Sequence, residues 1–283
     1  MDNTTPTETL TPIASSISAP FNVRSTNAQA RLLINAGGIA PPSSRSPPPP
    51  DTSINAQLSL LEKQYLPGQR KSLAGIALRG FLLGITLCVS SVLTVYSLSV
   101  GSRLWRAPFF LASLSLFHFL EFWTTAAYNT PAAAVSSYLL SSNGAAYNLA
   151  HSAAFLECVV TNFFFPTRQW TPVWVSKGLL VAGLGFIVLG QVVRSVAMIQ
   201  AGTNFNHIVQ TSKAKSHQLV THGVYGYLRH PSYFGFFWWG LGTQLMLGNI
   251  VCFLGYAVVL WRFFSRRIQG VFSCSVTYKS TGG

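Results

Sequence analysis

Acidic residues are scarce in this chain of 283 residues: 6 are present against 19 lysines and arginines, and none follows Glu157. Charged residues make up 9% of the sequence and apolar residues 49%, whereas about 25% charged is usual for a soluble domain. The basic residues stand singly or in pairs at the ends of apolar runs, and no basic stripe interleaved with aromatic residues occurs. This composition excludes an ordinary soluble domain, argues against a nucleic-acid partner and predicts a polytopic membrane protein in contact with the lipid bilayer.

Cysteine is also sparse, with 4 residues and no C-x-x-C pair. Three of them (Cys88, Cys158 and Cys252) fall inside apolar runs. We therefore expect neither a zinc site nor a disulfide framework, but reduced cysteines that fill small apolar spaces. Residues 1–10 are polar, with no basic segment followed by an apolar core, so the sequence predicts no N-terminal signal peptide.

The apolar runs predict an all-α fold, a polytopic membrane helix bundle of about six spans that ends in a helical hairpin and follows a disordered N-terminal tail. The tail is rich in Ser, Thr and Pro and too poor in apolar residues to offset the entropy of ordering, although a short amphipathic helix is expected near residues 55–65. The predicted spans are residues 80–100, 107–128, 145–166, 178–199, 233–248 and 250–264. The predicted domains are the disordered tail (1–70), the N-terminal membrane helices (71–199), a core made of the polar stretch and the hairpin (200–269), and a divergent, truncated C-terminal tail (270–283).

The basic residues also predict the orientation of the chain in the membrane. Six spans with the N-terminus in the cytosol place the larger group of lysines and arginines on the cytosolic side, as the positive-inside rule requires. That orientation puts the C-terminal tail and residues 207–229 on the same cytosolic face.

Polar residues inside the predicted spans need partners, because burying them in lipid costs a few kcal/mol each. His118 and Glu121 share one face of a helix, and Glu157 lies in the third span. A metal site or proton relay is one interpretation, but interhelical polar contacts explain these residues better. The spacing of Gly183, Gly185 and Gly190 predicts close helix packing rather than a site.

Residues 207–235 form the one long polar interval between the apolar segments and contain four of the 6 histidines. This interval has no Ser/His/Asp set, no thiol beside a base and no phosphate-binding glycine loop. Zinc binding by His217, His222 and His230 is conceivable, but the spacing is unusual and supporting carboxylates are absent. Pro231 suits the first turn of a following helix, whose free amides would be ready for a polar or anionic group.

Three runs in this interval resemble a known family: His217-Gln218-Leu219-Val220-Thr221, Gly223-Val224-Tyr225 and Arg229-His230-Pro231-Ser232-Tyr233-Phe234-Gly235. With Gly242-Thr243-Gln244 and Trp261-Arg262-Phe263-Phe264, they resemble the isoprenylcysteine carboxyl methyltransferase family. The resemblance implies an S-adenosyl-L-methionine-dependent enzyme of the endoplasmic reticulum membrane. Such an enzyme methyl-esterifies the C-terminal S-prenylcysteine of processed CaaX proteins, which are therefore the implied partners.

The same resemblance implies site residues, carried over position by position. No side chain is implied as an acid or base catalyst, and no metal is implied. The substrate carboxylate would be bound by Arg267. The implied cofactor contacts are Gln210, His217, Gln218, Leu219, Val220, Tyr225, His230, Pro231, Ser232 and Tyr233.

The sequence departs from the family after Ile268, where relatives continue with a glutamate-rich helix. Val271 stands where the family has a glutamate that contacts the cofactor, and residues 270–278 do not predict a helix of similar character. The departure predicts a pocket without one wall, and reduced or absent activity in this chain. Two alternatives stay open at this point: a methyltransferase for a lipid amine of phospholipids, and a non-catalytic, truncated membrane protein.

Overall fold

The computed structural model describes residues 52–165, 172–207 and 219–280, with the backbone alone described for residues 52–53 and 267–280. Contacts divide the chain after Asn55, and Ala56–Gly283 form one compact unit. The described residues are helical and contain no strand, so the all-α prediction is confirmed for them. The α-helices are α1 (Thr52–Lys63), α2 (Leu73–Ser99), α3 (Arg106–Tyr128), α4 (Ala145–Phe164), α5 (Val173–Ala201), α6 (Val224–Tyr227), α7 (Pro231–Leu247) and α8 (Val251–Ser280).

Within the part of the chain that the structure describes, three helical segments are long and apolar enough to cross a membrane: Leu73–Ser99, Arg103–Tyr128 and Val173–Asn204. They correspond to the first, second and fourth predicted spans. Helix α7 has 17 residues, short of the ~20 that cross a bilayer comfortably. The count of six spans therefore stays a prediction.

Helices α5 and α7 pack closely because glycines face backbone along their line of contact. A methyl group on Gly190 would lie 2.5 Å from the backbone nitrogen of Trp239 and 2.6 Å from the carbonyl oxygen of Gly235. One on Gly183 would lie 3.0 Å from the backbone nitrogen of Met246. The predicted close packing is confirmed at Gly183 and Gly190. It is wrong at Gly185, which faces open space.

The C-terminal hairpin is formed by α7 and α8, as the sequence predicts. Gly248 ends α7 in the left-handed region, at φ 69°, and its N–H donates to the carbonyl of Gln244. Glu157 of α4 accepts hydrogen bonds from the backbone N–H groups that begin α8, at 2.8 Å from Ile250, 2.9 Å from Val251 and 2.7 Å from Cys252. The interhelical role predicted for Glu157 is confirmed, since it holds the start of α8 against α4.

The two ends of the described fold bear on two further predictions. Helix α1 lies where the sequence predicts a short amphipathic helix. Helix α8 continues to Ser280, so residues 270–278 are helical. They contain no acidic residue, so this helix differs in character from the glutamate-rich helix of relatives, as the sequence predicts. The helix passes Gly270 because the run contains no proline, and the roughly 1 kcal/mol cost of a glycine does not stop a helix that is already propagating.

Candidate functional site

The candidate site is built around the first turn of α7. His230 precedes the helix with φ −134°, and Pro231 occupies the first helical position, where its missing N–H leaves no hydrogen bond unmade. The N–H groups of Tyr233 and Phe234 both donate to the carbonyl oxygen of His230, at 3.1 Å. Ser232 is buried. The His-Pro-Ser-Tyr run thus forms a compact turn at the end of the helix that packs on α5.

Arg194 of α5 links this turn to α3. Its Nε and Nη2 atoms donate to the two carboxylate oxygens of Glu121, the second over 2.8 Å. Its Nη1 atom donates to Ser232, over 3.0 Å to Oγ and 3.2 Å to the carbonyl oxygen. The predicted interhelical contact of Glu121 is confirmed. Arg194 interrupts the apolar run of residues 178–199, and sequence reasoning assigned it no partner, so its place beside Ser232 was missed.

The neighbouring His118 also has an interhelical role. Its Nδ1 atom lies 2.8 Å from the carbonyl oxygen of Tyr138 and its Nε2 atom lies 3.3 Å from the hydroxyl of Tyr147. The described residues include no group of three His, Cys, Asp or Glu side chains that could hold a metal ion. The contact of His118, on α3, with Tyr147, on α4, confirms the interhelical polar contact predicted for this histidine.

The chain that leaves α5 is held against the end of α3. The Nε2 atom of His207 lies 3.1 Å from the hydroxyl of Thr125, and Asn129 donates to the carbonyl oxygen of Phe205 over 2.8 Å. Burial lowers the pKa of His207 to about 4, against the opposing effect of Glu121. His207 is therefore neutral at pH 7, and its 3.7 Å approach to Glu121 is a polar contact without a full positive charge.

Residues 223–227 dock on the C-terminal part of α5. Gln200 accepts a hydrogen bond from the N–H of Val224 over 2.9 Å, and Tyr225 donates its hydroxyl proton to the carbonyl oxygen of Ala197 over 3.2 Å. Gly223 has φ 60°, and a side chain there would collide with Gln200. Burial raises the pKa of Tyr225 above its ordinary value, so the tyrosine stays protonated and keeps donating.

Three aromatic rings connect α7 to α8. The ring of Tyr233 stacks on His230, with centroids 5.8 Å apart, and on Phe264, with centroids 4.8 Å apart. Both pairs are nearly parallel, at 17°. Burial and the neighbouring Arg229 lower the pKa of His230. This stack joins the first turn of α7 to the part of α8 that leads into Arg267.

Two groups of predicted cofactor residues contact the same helix, α5: Tyr225 through Ala197, and the 230–233 turn (His230, Pro231, Ser232 and Tyr233) through the contact of Ser232 with Arg194. Leu219 is exposed and Val220 half-buried, and neither has a described contact with these five. Three further predicted contacts, Gln210, His217 and Gln218, lie outside the described residues, and so does the side chain of Arg267. The three histidines of the zinc interpretation include His217, so they too lie partly outside the described residues.

Comparison with known proteins agrees with this arrangement. The model of the isoprenylcysteine carboxyl methyltransferase family matches residues 183–270. The chain is 42% identical over 209 residues to the protein-S-isoprenylcysteine O-methyltransferase of Saccharomyces cerevisiae, a match that covers 74% of this chain and 85% of the yeast protein. It is 39% identical over 217 residues to the human protein of the same name, covering 76% of this chain and 70% of the human protein.

The fold of this chain is also similar to that of a solved methyltransferase structure. The eukaryotic intramembrane Ras methyltransferase ICMT superposes with a TM-score of 0.62 at 30% identity, over 79% of this chain and 80% of that one. The apolar helices and this neighbour make the chain a membrane protein. It belongs to the isoprenylcysteine carboxyl methyltransferase family.

Proposed function

We propose that this chain transfers a methyl group from S-adenosyl-L-methionine to the carboxylate of a C-terminal S-prenylcysteine in processed CaaX proteins. The family supplies the reaction class, and the predicted site residues supply the finer assignment. In this proposal the predicted cofactor residues, Tyr225 and the 230–233 turn among them, bind the methyl donor, and Arg267 binds the carboxylate. The protein acts in the endoplasmic reticulum membrane with both termini in the cytosol.

The observation that carries the proposal is the stack of His230, Tyr233 and Phe264. It connects a predicted cofactor turn with a helix that bears the predicted substrate arginine three residues further on. Two reactants bound by these elements would meet at one end of the α7–α8 hairpin. Holding them there would lower the entropy cost of the reaction.

The residues present fit a sulfonium donor, because aromatic faces attract a cation. The donor supplies an electrophilic methyl group when it is bound. A carboxylate is already ionised at neutral pH, so the chain needs no general base to activate it. The lowered pKa of His230 leaves its ring mostly neutral at pH 7, which adds no positive charge beside the donor.

The prenyl tail explains why the reaction takes place in a membrane. A chain of isoprenoid carbons is apolar throughout, and each buried CH₂ favours the bilayer by about 0.8 kcal/mol. The positive-inside pattern of the basic residues supports the cytosolic placement of residues 207–229 and of the C-terminus. The substrate tail would then lie in lipid while its carboxylate reaches the cytosolic face.

The two alternatives are supported less well than this proposal. A lipid amine must lose a proton before methylation and has no carboxylate for an arginine to bind, and the relatives are named for isoprenylcysteine. A non-catalytic protein has no need of a cofactor turn. The lipid-amine alternative has no observation of its own in its favour. The non-catalytic alternative has one, because Val271 stands where the family has a glutamate that contacts the cofactor, and an assay of methyl transfer by the purified chain decides it.

Replacement of Tyr233 tests the cofactor assignment. We expect Tyr233→Leu to raise the dissociation constant for S-adenosyl-L-methionine about tenfold, because it removes an aromatic face beside the sulfonium. Tyr233→Phe keeps that face and should bind within about twofold of the parent chain. Isothermal titration calorimetry on the purified protein measures both.

Tyr227→Leu is the matched control, since that ring is 93% exposed. It should leave the affinity for the donor unchanged. Equal affinities in the Tyr233→Leu variant and the parent chain would remove Tyr233 from the cofactor site.

A further inference from the structure

We infer that Glu121 is a positioning residue for the methyl-donor site: it fixes Arg194, and Arg194 in turn holds the first turn of α7. This inference rests on the proposed function, because it concerns how the cofactor turn keeps its shape. Glu121 lies on α3 and is not among the residues that the family resemblance assigns to the site.

The geometry of the ion pair fixes the orientation of the Arg194 guanidinium group. Both carboxylate oxygens of Glu121 are used by Arg194, one by Nε and the other by Nη2 at 2.8 Å. A guanidinium group is planar and rigid, so two such bonds fix the direction of its remaining nitrogen. That nitrogen, Nη1, points to Ser232.

The Nη1 atom of Arg194 holds Ser232 through two hydrogen bonds. It donates to Oγ over 3.0 Å and to the backbone carbonyl over 3.2 Å, and thereby fixes the side chain and the main chain of one residue. Because Oγ accepts this hydrogen bond, its own proton stays available to donate elsewhere. The hydroxyl group of Ser232 is thus oriented to donate a hydrogen bond within the first turn of α7.

The ion pair of Glu121 and Arg194 lies in a buried, aromatic environment. The side chains of Glu121 and Arg194 are 1% and 9% exposed, and the guanidinium lies 5.4 Å and 5.3 Å from the ring centroids of Phe117 and Phe236. Breaking a buried ion pair leaves an uncompensated charge, which is much more costly than at a surface. The pair therefore keeps one arrangement. Because Arg194 also holds Ser232, the 230–233 turn is fixed in one arrangement as well.

A purely structural link between helices is the competing explanation, and Glu157 provides the comparison. Glu157 is also a carboxylate that ties two helices together, since it accepts backbone N–H groups at the start of α8. It makes no described contact with residues 219–235. Loss of Glu157 should weaken the fold without a selective effect on the donor.

The test compares Glu121→Gln, Arg194→Lys and Glu157→Gln with the parent chain, each purified in lipid nanodiscs. Two quantities are measured: the melting temperature, and the dissociation constant for S-adenosyl-L-methionine by calorimetry. Arg194→Lys is the decisive variant, because one ammonium group pairs with Glu121 but does not also hold both oxygens of Ser232.

We expect Arg194→Lys and Glu121→Gln to raise the dissociation constant for the donor about tenfold, with the Arg194→Lys variant still folded. Glu157→Gln should lower the melting temperature and keep the dissociation constant within about twofold of the parent. Adding Ser232→Ala to Arg194→Lys should cause little further loss of affinity, because the two residues act through one contact.

The inference is overturned if all three variants lose melting temperature while the folded protein keeps the parent affinity for the donor. It is also overturned if Ser232→Ala and Arg194→Lys act independently. A parent chain that folds but does not bind the donor would refute the proposed function itself, and this inference with it. Binding by the parent together with unchanged affinity in the variants refutes the inference alone.

Discussion

Gly190→Ala is expected to destabilise the protein by about 3 kcal/mol, although alanine is normally the better helix former. The added methyl group would lie 2.5 Å from the backbone nitrogen of Trp239 and 2.9 Å from its Cα atom. Both are main-chain atoms, so no side-chain rotation relieves the overlap. Helix α7 would have to move away from α5, and Arg194 would then lose its hold on Ser232.

Gly185→Ala is the matched control for Gly190→Ala. It lies in the same helix and has no atom within 4 Å of the new methyl group. We expect its stability to equal or exceed that of the parent chain, by up to about 1 kcal/mol. Thermal unfolding in one detergent measures both variants. Equal melting temperatures for Gly190→Ala and Gly185→Ala would show that close packing of α5 on α7 does not hold the fold together.

Arg267→Ala is expected to lower kcat/KM for a farnesylcysteine substrate about 100-fold. An arginine binds a carboxylate through two parallel charge-assisted hydrogen bonds, and contacts with charged groups are worth about 1.5–3 kcal/mol each. Arg267→Lys keeps the charge but not the paired geometry, and should recover only part of the loss. Steady-state methylation at saturating S-adenosyl-L-methionine measures all three proteins.

Arg262→Ala is the control for this prediction, because Arg262 lies on the same helix and is exposed. It should leave kcat/KM close to that of the parent. The result also separates substrate classes, since methylation of a lipid amine does not require a carboxylate-binding arginine. If Arg267→Ala methylates farnesylcysteine as well as the parent does, the substrate assignment of Arg267 is wrong.

The close packing of α5 on α7 was predictable from the glycine spacing only for glycines that share a helix face. Gly183 and Gly190 are seven residues apart and share a helix face, and both meet backbone of α7. Gly185 is two residues from Gly183 and points to another face, which is why spacing in sequence did not reveal its surroundings. The span count was less predictable for two different reasons. Helix α4 has 20 residues but includes His151, Glu157 and Asn162, and helix α7 has only 17 residues.

The buried polar contacts were predictable in kind but not in partner. Glu121 had to find a partner inside the bundle, yet Arg194 is 73 residues away in sequence. Pairing them requires the relative position of α3 and α5, which local pattern does not supply. The contact from Arg194 to Ser232 depends in addition on α7.

The site residues came from the family resemblance, and periodicity alone would not have identified them. Tyr225 and Tyr233, taken singly, are better explained as interfacial aromatics, and only the whole set of residues favours a site. The structure adds the hydroxyl contact of Tyr225 with Ala197 and the stack of Tyr233 on Phe264. The roles of these residues toward a methyl donor remain predictions.

Methyl transfer by the purified chain tests the central claim most directly. The measurement uses S-adenosyl-L-methionine with a labelled methyl group, N-acetyl-S-farnesylcysteine as acceptor, and phosphatidylethanolamine as the competing acceptor. The account predicts a base-labile methyl ester on farnesylcysteine, formed in proportion to time and enzyme, and no label in the phospholipid. A folded chain that binds the donor yet forms no ester, or that labels only the phospholipid, would contradict it.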